Sequence, residues 1–142
     1  MEVVTDKPDS TDEPVVRRKA TFEDLLKKKL QKEEDKFKTK DIYVKSMDAT
    51  LTFKKPKEEL VLEVIEDIGD GQNSEQMVKA FEKLIYHCCD LLQSSELHSE
   101  LGVVDPLDTV NALFDLGEKM GLGEQLMDLI NIEGRVEAVK NL

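Results

Sequence analysis

Along most of this chain apolar positions recur at helical spacing, and in one stretch they switch to alternation. Phe22, Leu25, Leu26 and Leu30, with Phe37 continuing the phase, trace a narrow stripe over 21–37, the i, i+3, i+4 pattern of an amphipathic helix. Thr21, with Asp24 three residues on, reads as the N-cap and partner of a capping box. Over 42–54 the period falls to two. Ile42, Val44, Leu51 and Phe53 alternate with polar positions, among the β-formers Tyr43, Thr50 and Thr52. Ser46-Met47-Asp48-Ala49 supplies a turn, so 42–46 and 50–54 are expected to pair as a hairpin, which two strands sustain only by resting on helices. Pro56 suits the first turn of a helix over 57–68, with Leu60, Val61, Val64, Ile65 and Ile68 facing inward and Gly69-Asp70-Gly71 ending it.

The longest periodicity covers 75–92, capped by Ser74, with Val78, Phe81, Leu84, Ile85, Cys88, Leu91 and Leu92 as its inward face. This is the expected central helix. Ser95 caps a short helix that stops at Gly102. Asp105-Pro106, an Asp cap followed by Pro at the first helical position, starts another whose stripe is Leu107, Val110, Leu113, Phe114 and Gly117. Gly121 and Gly123 interrupt. Leu122, Leu126, Leu129 and Ile130 mark a further helix, and Val136, Val139 and Leu142 a last short one. The pattern predicts a mainly α fold: a small single-domain helical bundle over 21–142, with one short β-hairpin or extended segment near 42–54. Residues 1–20 form an N-terminal tail, and its first fourteen residues are too poor in apolar groups to offset their ordering entropy.

Charge divides the chain more sharply than hydropathy does. The formal net charge of −11 over 142 residues is made of −4 over 1–14, +5 over 15–40 and −12 over 41–142. An acidic body repels nucleic-acid phosphates, so no nucleic-acid partner is expected for it, and the basic stretch stands apart as an attachable element. The two cysteines are adjacent, Cys88 and Cys89, which is not the spacing of a disulfide framework. The first twenty residues lack a signal-peptide apolar run, and no stretch approaches the roughly 18 apolar residues of a membrane span. The expected setting is a reducing cytosol, with no membrane partner.

Candidate chemistry is sparse. His87-Cys88-Cys89, with His98 downstream, is the one metal-like group, but zinc ligands come as C-x2-4-C or as His pairs on one helical face. Neighbours on a helix point about 100° apart, so Cys88 and Cys89 cannot readily share one ion; Cys88 is expected to pack as a small core residue, with His87 at the surface. Glu58, Glu59, Glu63, Glu66 and Asp67 fit a solvated helix face, and no E-x-x-H partner accompanies them. Neither a nucleophile elbow nor a phosphate-binding glycine loop is present. Catalytic, metal and cofactor sites are all expected to be absent. The candidate partner-binding residues are Phe22, Leu25, Leu26, Lys27, Lys28, Lys29 and Leu30, an apolar stripe with lysines about it.

Four segments, in this order, carry a resemblance: Tyr43-Val44-Lys45-Ser46-Met47-Asp48-Ala49-Thr50-Leu51-Thr52-Phe53-Lys54, then Lys83-Leu84-Ile85-Tyr86-His87-Cys88-Cys89-Asp90-Leu91-Leu92, then Val103-Val104-Asp105-Pro106-Leu107-Asp108-Thr109-Val110, then Leu113-Phe114-Asp115-Leu116-Gly117-Glu118. Their series over about 21–142 resembles the XkdN-like tail assembly chaperones of tailed phages and phage-like elements of Gram-positive bacteria. The resemblance implies a non-enzymatic protein of the bacterial cytoplasm. Such a protein binds the tape measure protein, keeps it soluble and helps recruit tail tube subunits, acts in many copies or as a homo-oligomer, and is absent from the mature virion. It assigns no residue a role. The alternative reading is a regulatory protein whose basic arm binds nucleic acid or a protein partner.

Deleting residues 1–14 is expected to leave the thermal midpoint unchanged; a shift of several degrees on differential scanning calorimetry would show that the segment contributes to the folded state.

Overall fold

The computed structural model describes residues 17–130; most of the expected tail and the short helix expected around Val136, Val139 and Leu142 lie outside the described residues. In chain order the elements are α1 (Phe22–Asp35), β1 (Thr39–Val44), β2 (Ala49–Lys54), α2 (Glu58–Ile68), α3 (Ser74–Cys88), a 3-10 turn (Asp90–Gln93), α4 (Ser95–Leu101), α5 (Asp108–Leu113) and α6 (Leu116–Ile130). This is the mainly α fold with a single hairpin that the periodicity predicts. The chain divides into two compact units with the boundary after Glu33, inside the last turn of α1.

Within the second unit α3 is the spine, packed against α2, α5, α6 and β2, while β1 rests on α6. Phe81, Leu84, Ile85 and Cys88 of α3 are buried, as their spacing predicts. The strands are antiparallel, with Ile42 opposite Leu51 and Val44 opposite Ala49. One face of the hairpin therefore presents Val44, Leu51 and Phe53 to the core, and all three are buried. Its turn occupies residues 45–48, and Asp48 takes the left-handed conformation (φ 51°) that Asp tolerates better than most side chains. Pairing runs three residues further back than alternation alone implies, because Lys54 finds its partner in Thr39. Across the pair the Thr52 hydroxyl donates to Asp41 at 2.7 Å.

Several boundaries and faces differ from expectation, each for a local reason. α2 begins at Glu58, so Pro56 precedes the helix, and Ile65 faces outward, since Leu60, Val61, Val64 and Ile68 already fill the contact with the core. The cap of α3 is Asn73, whose side chain accepts the Gln76 N–H, and not Ser74. α3 stops at Cys88, not at 92, because the Gln93 side-chain amide donates to the carbonyls of Tyr86 (3.1 Å) and His87 (3.2 Å) where a further helical turn would have done so. Leu91 consequently points to solvent while Leu92 is buried. Ser94, one residue before the expected Ser95, caps α4. The Asp105 carboxylate accepts from the Leu107 N–H at 3.1 Å, which makes a turn rather than a helix start; α5 begins at Asp108.

The largest correction concerns the glycines. Gly121 and Gly123 do not interrupt: α6 runs through both, and Gly117 is an exposed residue of its first turn. The start of α6 is a second capping box, with Glu118 accepting from the Asp115 N–H (3.1 Å) and Asp115 accepting from the Glu118 N–H (2.9 Å). Gly123 is buried against Phe81 of α3, where an added Cβ would lie 2.2 Å from the ring. Gly121 is exposed and has nothing within 4 Å of that position. The same substitution should thus act with opposite sign two residues apart. In urea titrations, Gly123→Ala is expected to lose about 1–3 kcal/mol from overpacking, and Gly121→Ala to gain up to about 1 kcal/mol from helix propensity. Equal effects at both positions would refute the close packing of Phe81 on Gly123.

Candidate partner-binding site

The candidate residues lie together on α1, and the helix is started with unusual firmness. The Thr21 N–H donates to Asp24 at 2.8 Å and the Asp24 N–H returns a bond to the Thr21 hydroxyl at 3.3 Å, the reciprocal pairing that the sequence predicts. The Arg18 guanidinium grips the same carboxylate with two N–H groups, at 2.5 and 2.8 Å. Arg18, and after it the Thr21 N–H, hold the Asp24 carboxyl well below the usual carboxylate range. Because this folded-state value is lowered, whatever the cap contributes is complete above the ordinary carboxylate range. It is lost only as the pH falls through the lowered value, so the cap keeps its charge at neutrality.

With its start fixed, α1 presents Phe22 (74% exposed), Leu25 (63%), Leu26 (49%) and Leu30 (58%) on one side. At about 100° per residue Lys29 falls within that stripe, while Lys27 and Lys28 flank it on opposite edges. Lys29 meets Glu33 one turn later at 3.7 Å, and all three lysines are exposed. Residues 25–32 contain four lysines and no acid, the acids of the helix being gathered at its two ends. The surface so formed suits a helix or extended segment that is apolar along one side and acidic at its edges; nothing on it resembles a catalytic arrangement.

The other candidate groups sit elsewhere. His87 is exposed and Cys88 is buried, as expected; Cys89 is buried too, which its neighbour's helical phase does not foretell. Burial pushes the Cys88 thiol up to about 12, so it holds no thiolate at neutral pH and is a poor nucleophile or metal ligand. His98 stacks on Tyr86, with ring centroids 5.9 Å apart, and its Nε2 donates to the Leu92 carbonyl at 2.8 Å. Among the described residues no group of three His, Cys, Asp or Glu side chains is placed to hold a metal ion, and no helix is long and apolar enough to cross a membrane. Of the acids on α2, Glu63 and Asp67 are bound by Lys83 of α3 at 2.8 and 2.7 Å, and Asp67 first and Glu63 second raise that lysine above its ordinary value. A shallow open depression of about 260 Å³ lies beside them, lined by Glu66, Asp67, Gln76, Lys79 and Lys83.

Charge-based reading of the sequence misses Lys119 altogether. It is buried on α6, with its ammonium donating to Glu82 of α3 (2.9 Å) and to Asn111 of α5 (2.5 Å). It fastens three helices. Its signal is faint: a single lysine in the stretch Leu116–Ile130, one turn before a glycine. Comparison of the chain with protein-family models, with curated proteins and with solved structures finds no match, so its function is read from its own residues.

Lys119→Met is expected to cost about 2–3 kcal/mol in chemical denaturation, because it leaves Glu82 poorly solvated and unpaired, whereas Lys119→Met with Glu82→Leu should recover most of the loss. A double variant no more stable than the single one would mean that the ion pair is incidental.

Proposed function

We propose that this chain is a tail assembly chaperone, a non-catalytic protein that binds the tape measure protein of a tailed phage or phage-like element. On this reading it keeps that client soluble and helps recruit tail tube subunits, with many copies on each client. It works in the host cytoplasm and is left out of the finished particle. The observation that carries the reading is the exposed stripe of Phe22, Leu25, Leu26 and Leu30 on a firmly capped helix, with lysines in and beside it. A long, aggregation-prone helical client needs such a stripe to hold it and a strongly charged protein to keep the complex dissolved. The −12 over residues 41–142 supplies that charge. The resemblance of four segments to the XkdN-like chaperones is what points to the tape measure protein as the client. A regulatory protein whose basic arm binds nucleic acid has less in its favour, since Arg18 is engaged by Asp24 and the acidic remainder of the chain repels phosphates.

The test is co-expression with a phage tape measure protein as the client. Leu26→Asp with Leu30→Asp is expected to give a chaperone of unchanged circular dichroism that no longer holds the client in the soluble fraction. Undiminished client solubility with the double variant would remove α1 from the mechanism. Salt-sensitive DNA binding by the native protein, without client solubilisation, would favour the regulatory reading instead.

A further inference from the structure

A second apolar surface lies on α2. Its packing uses Leu60, Val61, Val64 and Ile68, which leaves Leu62 (66% exposed) and Ile65 (42%) one turn apart on the outward side. The surroundings of that pair are the opposite of those on α1. Residues 58–67 contain five acids and no base. Lys83 engages two of the five, Glu63 and Asp67. Glu59 and Glu66 stand exposed, each within one turn of Leu62 or Ile65. Two exposed apolar strips thus occur in one chain, one among lysines and one among glutamates.

Two copies of the chain can match these strips in three ways. Pairing α1 with α1 sets the lysines of residues 27–32 against one another, and pairing α2 with α2 does the same with the glutamates; both arrangements bring like charges into a contact that also excludes water. Pairing α1 of one copy with α2 of the other covers both strips and sets lysine beside glutamate. We infer that α1 of one copy docks, through Phe22, Leu25, Leu26 and Leu30, on the Leu62–Ile65 strip of a second copy, and that the exchange is reciprocal about a twofold axis. A single helix pair of this size falls short of the roughly 1,000 Å² that a stable interface requires. Reciprocal exchange doubles the contact and closes the assembly, leaving no strip exposed to propagate it. The resulting dimer is weak, because each strip is short and each charge pair is near solvent. This association does not rest on the identity of any client.

Sedimentation velocity on the purified chain, with no client present, tests it. The native protein is expected to show a concentration-dependent monomer–dimer equilibrium that weakens at least tenfold between 50 mM and 500 mM salt, as screening of charge contacts requires (about 3 Å Debye length near 1 M against 10 Å at 0.1 M). Lys27→Glu with Lys28→Glu should be monomeric, and so should Glu59→Lys with Glu66→Lys. Mixed in equal amounts, the two variants should form a heterodimer, because each now carries the strip that suits the other in both contacts. Leu62→Ser, which alters no charge, should lower the dimer fraction as well. A native chain that stays monomeric at every concentration overturns the inference. So does a dimer that both charge variants retain, or a mixture in which no heterodimer forms while circular dichroism shows both partners folded.

Discussion

The body of this fold depends on how closely α6 can approach α3, and that is decided where the Phe81 ring occupies the space beside Gly123 in which any other residue would place a side chain. With the two helices held at this distance, Leu122, Leu126 and Ile130 reach the same core as Leu84 and Ile85. One turn before the glycine, Lys119 is brought over Glu82, the neighbour of Phe81, and the pair is largely shielded from solvent. Asn111 accepts a further hydrogen bond from the same ammonium, which ties α5 into the helix pair. The hairpin follows from this arrangement: Phe53 and Leu51 complete the core beside α3 and α6, supplying the support that two strands cannot provide for themselves.

What the sequence made legible was phase, and what it concealed was competition between neighbouring groups. Helical spacing identified α2, α3 and the buried quartet of α3 because those faces are broad and apolar on one side. It erred at Ile65, which keeps the right period but lies at the edge of a face that the core had already filled, and at Leu91 and Gly117, which fall beyond the ends of the helices they were assigned to. Gly121 and Gly123 look alike in a propensity scale, yet one is open to solvent and the other is a contact between helices; only the position of Phe81 separates them. Asp105-Pro106 carries a strong start signal, and the carboxylate spends it on a turn two residues before the helix proper. The C-terminus of α3 depends on a side chain five residues beyond it, Gln93, for which no local rule exists.

The candidate site shows the same division. The stripe on α1, its cap and its lysines were all readable, since they are local properties of the ten residues 21–30. That Lys29 sits within the stripe rather than at its margin follows from angle alone, but its pairing with Glu33 means that the apolar strip carries one internal ion pair. A partner must accommodate that pair as well as cover the leucines. The outward strip on α2 is hidden because Ile65 keeps the phase of the core residues and reads as one of them, which leaves Leu62 without an apolar neighbour on the outer side. Charge was informative in a coarser way: its segregation between 15–40 and 41–142 is what gives the two strips opposite surroundings.

Glu118 has a consequence of another kind. One of its oxygens accepts the Asp115 N–H at the start of α6, and the other accepts the hydroxyl of Ser46 in the hairpin turn. A single carboxylate therefore closes two segments that are 72 positions apart in the chain. When the first turn of α6 frays, Glu118 is displaced and the hairpin turn loses its anchor; when the turn lifts, the helix loses a cap acceptor. The two ends open as one cooperative patch, so their backbone amides should exchange with solvent deuterium on a common timescale even though sequence distance would assign them to separate folding units.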